Sequence, residues 1–184
     1  MIKRGVRWLI AASLALSCAP PMRANASRLV TARLPSLQTR PALRMAIDVS
    51  SVPEAELCSF NELNRPLCVA SLRAAFEGGL ANVIASLYEP SPTARALRLE
   101  FLVEKLSHRP TSLGPAGYRT SRVDLRWSAR VTDAQGAEQL LMQGETQSPQ
   151  PVTYDGQLDG PMGAMVGAVL ETIANGLIAR GLGT

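Results

Sequence analysis

At 184 residues, 46% of them hydrophobic, the chain has enough apolar side chain for one core; no second domain, internal repeat or low-complexity tract follows its N-terminal tail. Its net charge of +4 falls to +1 once Lys3, Arg4 and Arg7 are set aside as part of a removable leader, and from Met45 onward 15 acidic residues outnumber 11 basic ones. That balance excludes a protein built to hold nucleic acid, whose phosphates demand a net basic domain.

The leader comes first. Lys3, Arg4 and Arg7 precede an uncharged run from Trp8 to Ser17, too short to cross a hydrocarbon core of about 30 Å as a helix and typical of a secretory signal. Cys18 follows Ala15, Leu16 and Ser17, and this resembles the lipobox of bacterial lipoproteins, in which the cysteine is acylated and becomes the first residue. A rival site for ordinary signal peptidase is the Ala24-Asn25-Ala26 triplet, although Pro20, Pro21 and Arg23 would then crowd the cleavage region. The expected organisation is a signal over 1–17, a lipidated cysteine with a flexible basic tether over 18–42, and one domain over 43–184. Arg23, Arg28, Arg33, Arg40 and Arg44, which run from the tether into the first strand, fall in a region with no acidic residue, so the tether either lies on anionic headgroups or is simply solvated.

Cysteine parity bears on the same choice. Cys18, Cys58 and Cys68 make an odd count for an exported chain. A lipid on Cys18 leaves Cys58 and Cys68 to form a disulfide in an oxidising compartment. The alternative is two free, buried thiols.

In the domain, Leu43, Met45, Ile47 and Val49 alternate with polar or small residues as a strand does. After the cysteine-bearing loop, Val69, Leu72, Phe76, Leu80, Val83, Ile84 and Leu87 recur at helical spacing to about Ser86, with Gly78 and Gly79 in mid-helix suggesting close approach to a sheet or a hinge. Leu97, Leu99, Phe101 and Val103 mark the next strand, followed by a loop through Pro110, Gly114, Pro115 and Gly117. Val123, Leu125, Trp127, Ala129 and Val131 then alternate with Arg122, Asp124, Arg126, Ser128 and Arg130, and Asp133 to Gly136 reads as a hairpin turn into a strand over 138–146. Asp159 as N-cap and Pro161 in the first turn open a closing helix with Met162, Met165, Val166, Val169, Leu170, Ile173, Leu177 and Ile178 on its apolar stripe, stopped by Gly181. The order β-α-β-β-β-α predicts an α+β two-layer sandwich, with a mainly antiparallel four-stranded sheet, two helices on one face and the other face wet.

Chemistry for catalysis is sparse. His108, the sole histidine, falls beside Pro110 in the expected loop and reads as a surface residue. No nucleophile elbow, phosphate-cradling glycine loop, His-x-x-x-His or Cys-x-x-Cys spacing is present, so neither metal nor cofactor is expected. Glu100 and Glu104 on one strand face read as members of a solvated ion-pair ladder. The feature that stands out is Arg122, Arg126 and Arg130 at i, i+4 and i+8 on one strand face, with Arg98 expected on the neighbouring strand. Guanidinium groups spaced about 13 Å apart suit an anionic glycolipid or an acidic partner surface, or else a solubilising face paired with Asp124 and Glu100.

The layout of export signal, lipobox-like Cys18, tether, strand, helix, long hairpin and C-terminal helix resembles the small outer-membrane assembly lipoproteins of Gram-negative bacteria, above all the lipopolysaccharide-assembly lipoproteins. The segment Tyr118 to Gly136 is similar to that family's tyrosine-led strand ending in an Asp-x-x-Gly turn. Related layouts occur in auxiliary lipoproteins of transporters and of polysaccharide or fibre export. The resemblance implies a non-enzymatic outer-membrane lipoprotein facing the periplasm. It would assist an envelope assembly or export complex, such as one for lipopolysaccharide transport, with the membrane and an envelope-complex protein as partners. Other readings of the sequence are a secreted or soluble periplasmic enzyme or inhibitor without lipid, and a purely structural envelope lipoprotein.

Overall fold

The computed structural model describes residues 22–60, 66–113, 119–153 and 158–182. Four long strands stand where side-chain alternation places them: β2 (Ala42–Asp48), β6 (Ala96–Leu113), β7 (Arg119–Asp133) and β8 (Glu138–Gln147). Between β2 and β6 lie β3 (Leu57–Phe60), β4 (Pro66–Ala70), helix α1 (Leu72–Leu87) and β5 (Glu89–Pro90). An N-terminal strand β1 (Met22–Asn25), a short β9 (Val152–Thr153) and helix α2 (Asp159–Arg180) complete the order.

The sheet departs from the expected four-stranded antiparallel form. The larger sheet runs β5-β2-β6-β7-β8 with β9 on β7, and β2 pairs in parallel with both β5 and β6. A strand that returns to its sheet through a helix comes back in its original direction, so α1 imposes parallel pairing. Alternation marks a strand's faces but carries no sign of its partner's direction. A second sheet, β1-β4-β3, was not expected at all; its strands are only four or five residues long. In it Cys58 and Cys68 stand directly opposite on antiparallel β3 and β4 and are joined as a disulfide.

Both helices cover one face of the larger sheet. Phe76 of α1 meets Phe101 with ring centroids 4.3 Å apart, and Phe101 stacks towards Trp127 at 6.1 Å. Trp127 is fully buried, and its indole N–H donates to Thr146 Oγ1 at 3.0 Å. A Cβ on Gly79 would overlap Leu170 of α2, whereas Gly78 faces open space. The glycine pair therefore serves a helix–helix approach rather than helix on sheet, and only one of the two is needed for it.

The N-terminal segment corrects a larger expectation. Over 22–34, the tether expected to be flexible is part of the fold: β1 pairs in parallel with β4, and Met22, Ala24 and Ala26 are buried. Beyond β1 the chain runs along α2, where a Cβ on Gly163 or Gly167 would overlap the carbonyl oxygens of Leu29 and Thr31. Asp159 is not an N-cap; it sits in the first turn of α2, accepts from the Asn25 N–H at 2.7 Å and pairs with Arg28 at 3.5 Å. Its carboxylate ties the segment down at that end. Gly181 ends α2 with a left-handed φ of 64°, and Gly136 at φ 82° closes the hairpin turn whose backbone N–H groups at 135 and 137 donate to Asp133 Oδ1.

Candidate functional site

The β6–β7 hairpin decides what the wet face displays. Its register is regular from Leu97 opposite Asp133 to Val103 opposite Trp127, then shifts at a bulge between Val103 and Lys105. Past the bulge, Leu106 and His108 turn towards the core side with Leu125 and Val123, while Lys105, Ser107 and Arg109 face outward opposite Arg126, Asp124 and Arg122. The strand thus continues well beyond the alternation that ends at Val103.

The two ends of the hairpin differ in charge. At the open end, beside the Asp133–Gly136 turn that leads from β7 into β8, Arg98 pairs with Asp48 on β2 and with Glu100 at 3.4 Å, and Arg130, opposite Glu100, reaches Glu138 on β8 at 3.6 Å. Hydrogen bonds from Ser50, then from Arg98, hold the Asp48 carboxyl well below the usual carboxylate range; the same contact with Asp48, with Glu100 behind it, raises the Arg98 guanidinium. Arg126, further along, pairs with Glu145 at 3.4 Å. Arg122 is exposed and has no acidic partner among the described residues. The four arginines singled out in the sequence therefore do share the wet face, three of them beside carboxylates.

Beyond Arg126 lies a group that the sequence did not reveal. Asp124, on the outward face, has a side chain only 2% exposed, and its Oδ2 accepts from the guanidinium of Arg109 at 3.2 Å. A cleft of about 570 Å³ opens at this place, lined by Lys105, Ser107, Arg109, Asp124, Arg126 and Glu145, with Cys58 and Ser59 of β3 at its edge. The only advance signal was an acidic residue between Arg122 and Arg126. Its cationic neighbours on β6 were hidden by the bulge.

His108 is not on a surface loop. It lies within β6, 2% exposed, and its Nδ1 shares a hydrogen bond of 2.6 Å with Ser59 Oγ, itself 7% exposed. This pair docks β3, and with it the disulfide sheet, against the far end of the hairpin. For a metal, the ligand atoms of Glu56, Cys58 and Cys68 fall within 4.8 Å of one another, but both sulfurs are committed to the disulfide and one exposed carboxylate remains. Cys18 lies outside the described residues.

No protein-family model and no curated protein matches the chain. Among solved structures, the fold is similar to that of a Xanthomonas campestris protein of the DUF330 family, with a TM-score of 0.52 and 9% identity over 87% of this chain and 96% of that one. A minor lipoprotein from Acinetobacter baumannii aligns at a TM-score of 0.46 and 13% identity over 79% of this chain and 95% of that one. Similarity at the level of the Xanthomonas protein shows a shared fold.

Proposed function

We propose that the protein is exported and anchored through a lipid on Cys18 to an outer membrane, facing the periplasm. There it serves, without catalysis of its own, as an accessory to an envelope assembly or export complex, of which lipopolysaccharide transport is one kind. The observation that carries the anchor is the burial of Met22, Ala24 and Ala26 at 6%, 4% and 0% exposure, with β1 paired to β4. Cleavage after Ala26 would remove that strand and the Asn25–Asp159 bond with it. Cleavage before Cys18 keeps both. The Cys58–Cys68 disulfide adds support, since it leaves Cys18 as the odd cysteine.

Only three residues lie between Cys18 and Met22, so the four Cα-to-Cα steps reach at most about 14 Å when fully extended. The domain would therefore ride close to the headgroups, and Arg23 and Arg28, both exposed, would add attraction to an anionic surface. Partner contact falls to the wet face bearing Arg98, Arg122, Arg126 and Arg130, where the chemistry suits an acidic protein surface or an anionic glycolipid. Mass spectrometry of the mature protein tests the anchor: an acylated N-terminal Cys18 is expected, and an unmodified chain beginning at Ser27 overturns it. Co-purification from detergent-solubilised envelopes tests the partner, with an envelope-complex protein lost from a folded Arg122→Gln, Arg126→Gln, Arg130→Gln variant as the expected result.

A further inference from the structure

Three cross-strand columns succeed one another on the far half of the hairpin: Lys105 opposite Arg126, Ser107 opposite Asp124, and Arg109 opposite Arg122. Like charges directly opposite each other are destabilising in a sheet. Here two such columns flank a single carboxylate. Counting Glu145, which answers Arg126, the cluster holds four cations against two anions, a net +2. The near half of the same hairpin has no such surplus.

The carboxylate at the centre is unusual in a second way. Asp124 Oδ2 is engaged by Arg109, but Oδ1 is buried and has no hydrogen-bond partner among the described residues. A buried charged acceptor left unmet is costly, and native proteins rarely leave one without a reason. Asp124 is one of the residues lining the cleft of about 570 Å³, within the usual range for a small-ligand site.

We infer that this cleft binds a phosphate-type oxyanion that also carries a hydrogen-bond donor, either a proton of its own or a hydroxyl next to it. The oxyanion's acceptors meet Lys105, Arg109 and Arg126, which offer charge-assisted and forked donors. Its donor meets Asp124 Oδ1. An oxyanion without a donor would set lone pair against lone pair at that atom, so the carboxylate acts as a filter within a cationic ring. The wet-face contact proposed above is thereby narrowed to one end and given a ligand chemistry. The inference does not depend on Cys18, because binding is a property of the folded domain whether or not it is acylated.

Phosphate and sulfate distinguish the two kinds of anion, since near neutral pH phosphate keeps a proton and sulfate has none. In titration calorimetry at low ionic strength, the mature protein should bind inorganic phosphate or glycerol 3-phosphate about ten-fold or more tightly than sulfate, the scale of one charge-assisted hydrogen bond. Asp124→Asn should abolish that preference by raising sulfate affinity, because the amide can donate where the carboxylate cannot. Lys105→Gln with Arg122→Gln, both exposed and without ion pairs among the described residues, should weaken phosphate binding about ten-fold while leaving the melting temperature unchanged or slightly raised, since each change relieves a like-charge column. Vesicles of phosphatidylcholine with phosphatidic acid form the last arm. Capture that falls in the Lys105/Arg122 variant, without measurable affinity for the free phosphates, supports the site with a lipid headgroup as the source. Equal binding of phosphate and sulfate by the wild type, or binding indifferent to all these substitutions, overturns the inference.

Discussion

The two faces of the larger sheet are built on opposite terms. On the dry side, which takes in α2 and the N-terminal segment laid along it, atoms are closely packed and backbone meets backbone: Thr31 lies on Gly167 and Leu29 on Gly163 of α2, and on the sheet itself Gly144 leaves room for the ring of Trp127. On the wet face, charge is arranged column by column across the strands, neutralised around Arg98 and Arg130 and left in surplus around Arg109 and Arg122. Shape specifies the first face and charge the second. A one-carbon change should therefore register as lost stability on the dry side, whereas a lost charge on the wet side should register in binding.

The sharpest break is at the clamp of the small sheet, which closes one end of the dry layer. A Cys58→Ser, Cys68→Ser double variant releases a loop closed across ten residues of sequence and should lose about 2–3 kcal/mol, the loop-entropy value for a ring of that size. Denaturant unfolding with and without reductant measures it. A wild type that unfolds identically in both conditions would remove the disulfide from the stability argument.

Next come the glycines. Gly167→Ala must displace the backbone at Thr31, an overpacking that typically costs about 1–3 kcal/mol and outweighs the helix propensity gained. Gly78→Ala, with nothing within 4 Å of the added carbon, should instead stabilise by up to about 1 kcal/mol. At about 2–4 °C per kcal/mol for a chain of this size, thermal melts should move in opposite directions. Stabilisation by both would mean that the N-terminal segment is not held against α2 as described.

These features differ in how far the sequence announced them. Leu97 to Val103 and Val123 to Val131 declared their strands and faces through simple alternation, and the Asp133–Gly136 turn through its residue types. Gly181 was equally clear. β1 was not, because Met22 to Asn25 gives four residues of alternation inside an arginine-rich run that reads as a tether. Asp124 was assigned to the right face and given the wrong environment: its burial follows from the bulge after Val103, which brings Ser107 and Arg109 outward beside it. A one-residue shift in register leaves no mark in composition. For His108, Pro110 suggested a loop, yet β6 runs on through it to Leu113.

On the wet face the expected effects on stability are smaller. Arg126→Gln and Arg130→Gln each break one exposed ion pair, at 3.4 Å and 3.6 Å, and each should cost about 0–1 kcal/mol. Double-mutant cycles with Glu145→Gln and Glu138→Gln isolate the pair terms. Coupling that vanishes in molar salt is expected for solvated pairs, and a large salt-resistant coupling would place structural weight on the wet face as well.

The smallest effect carries a definite sign. Asp48 is held ionised first by Ser50 and then by Arg98, so its folded-state value lies below the unfolded 3.8. A carboxyl depressed on folding contributes stability that is fully present above the unfolded value and fades as pH falls from there through the folded one. Wild type should therefore exceed Asp48→Asn in stability at neutral pH, and the gap should narrow below about pH 4 as the native carboxyl takes up its proton. Arg98 reinforces this direction, since its own raised value keeps it charged throughout. Melting temperatures of the two proteins from neutral to strongly acidic pH give the test. A gap that does not change with pH would show that Asp48 acts through its shape and its Ser50 hydrogen bonds alone, and the neutralised end of the hairpin would then owe nothing to the Asp48–Arg98 charge pair.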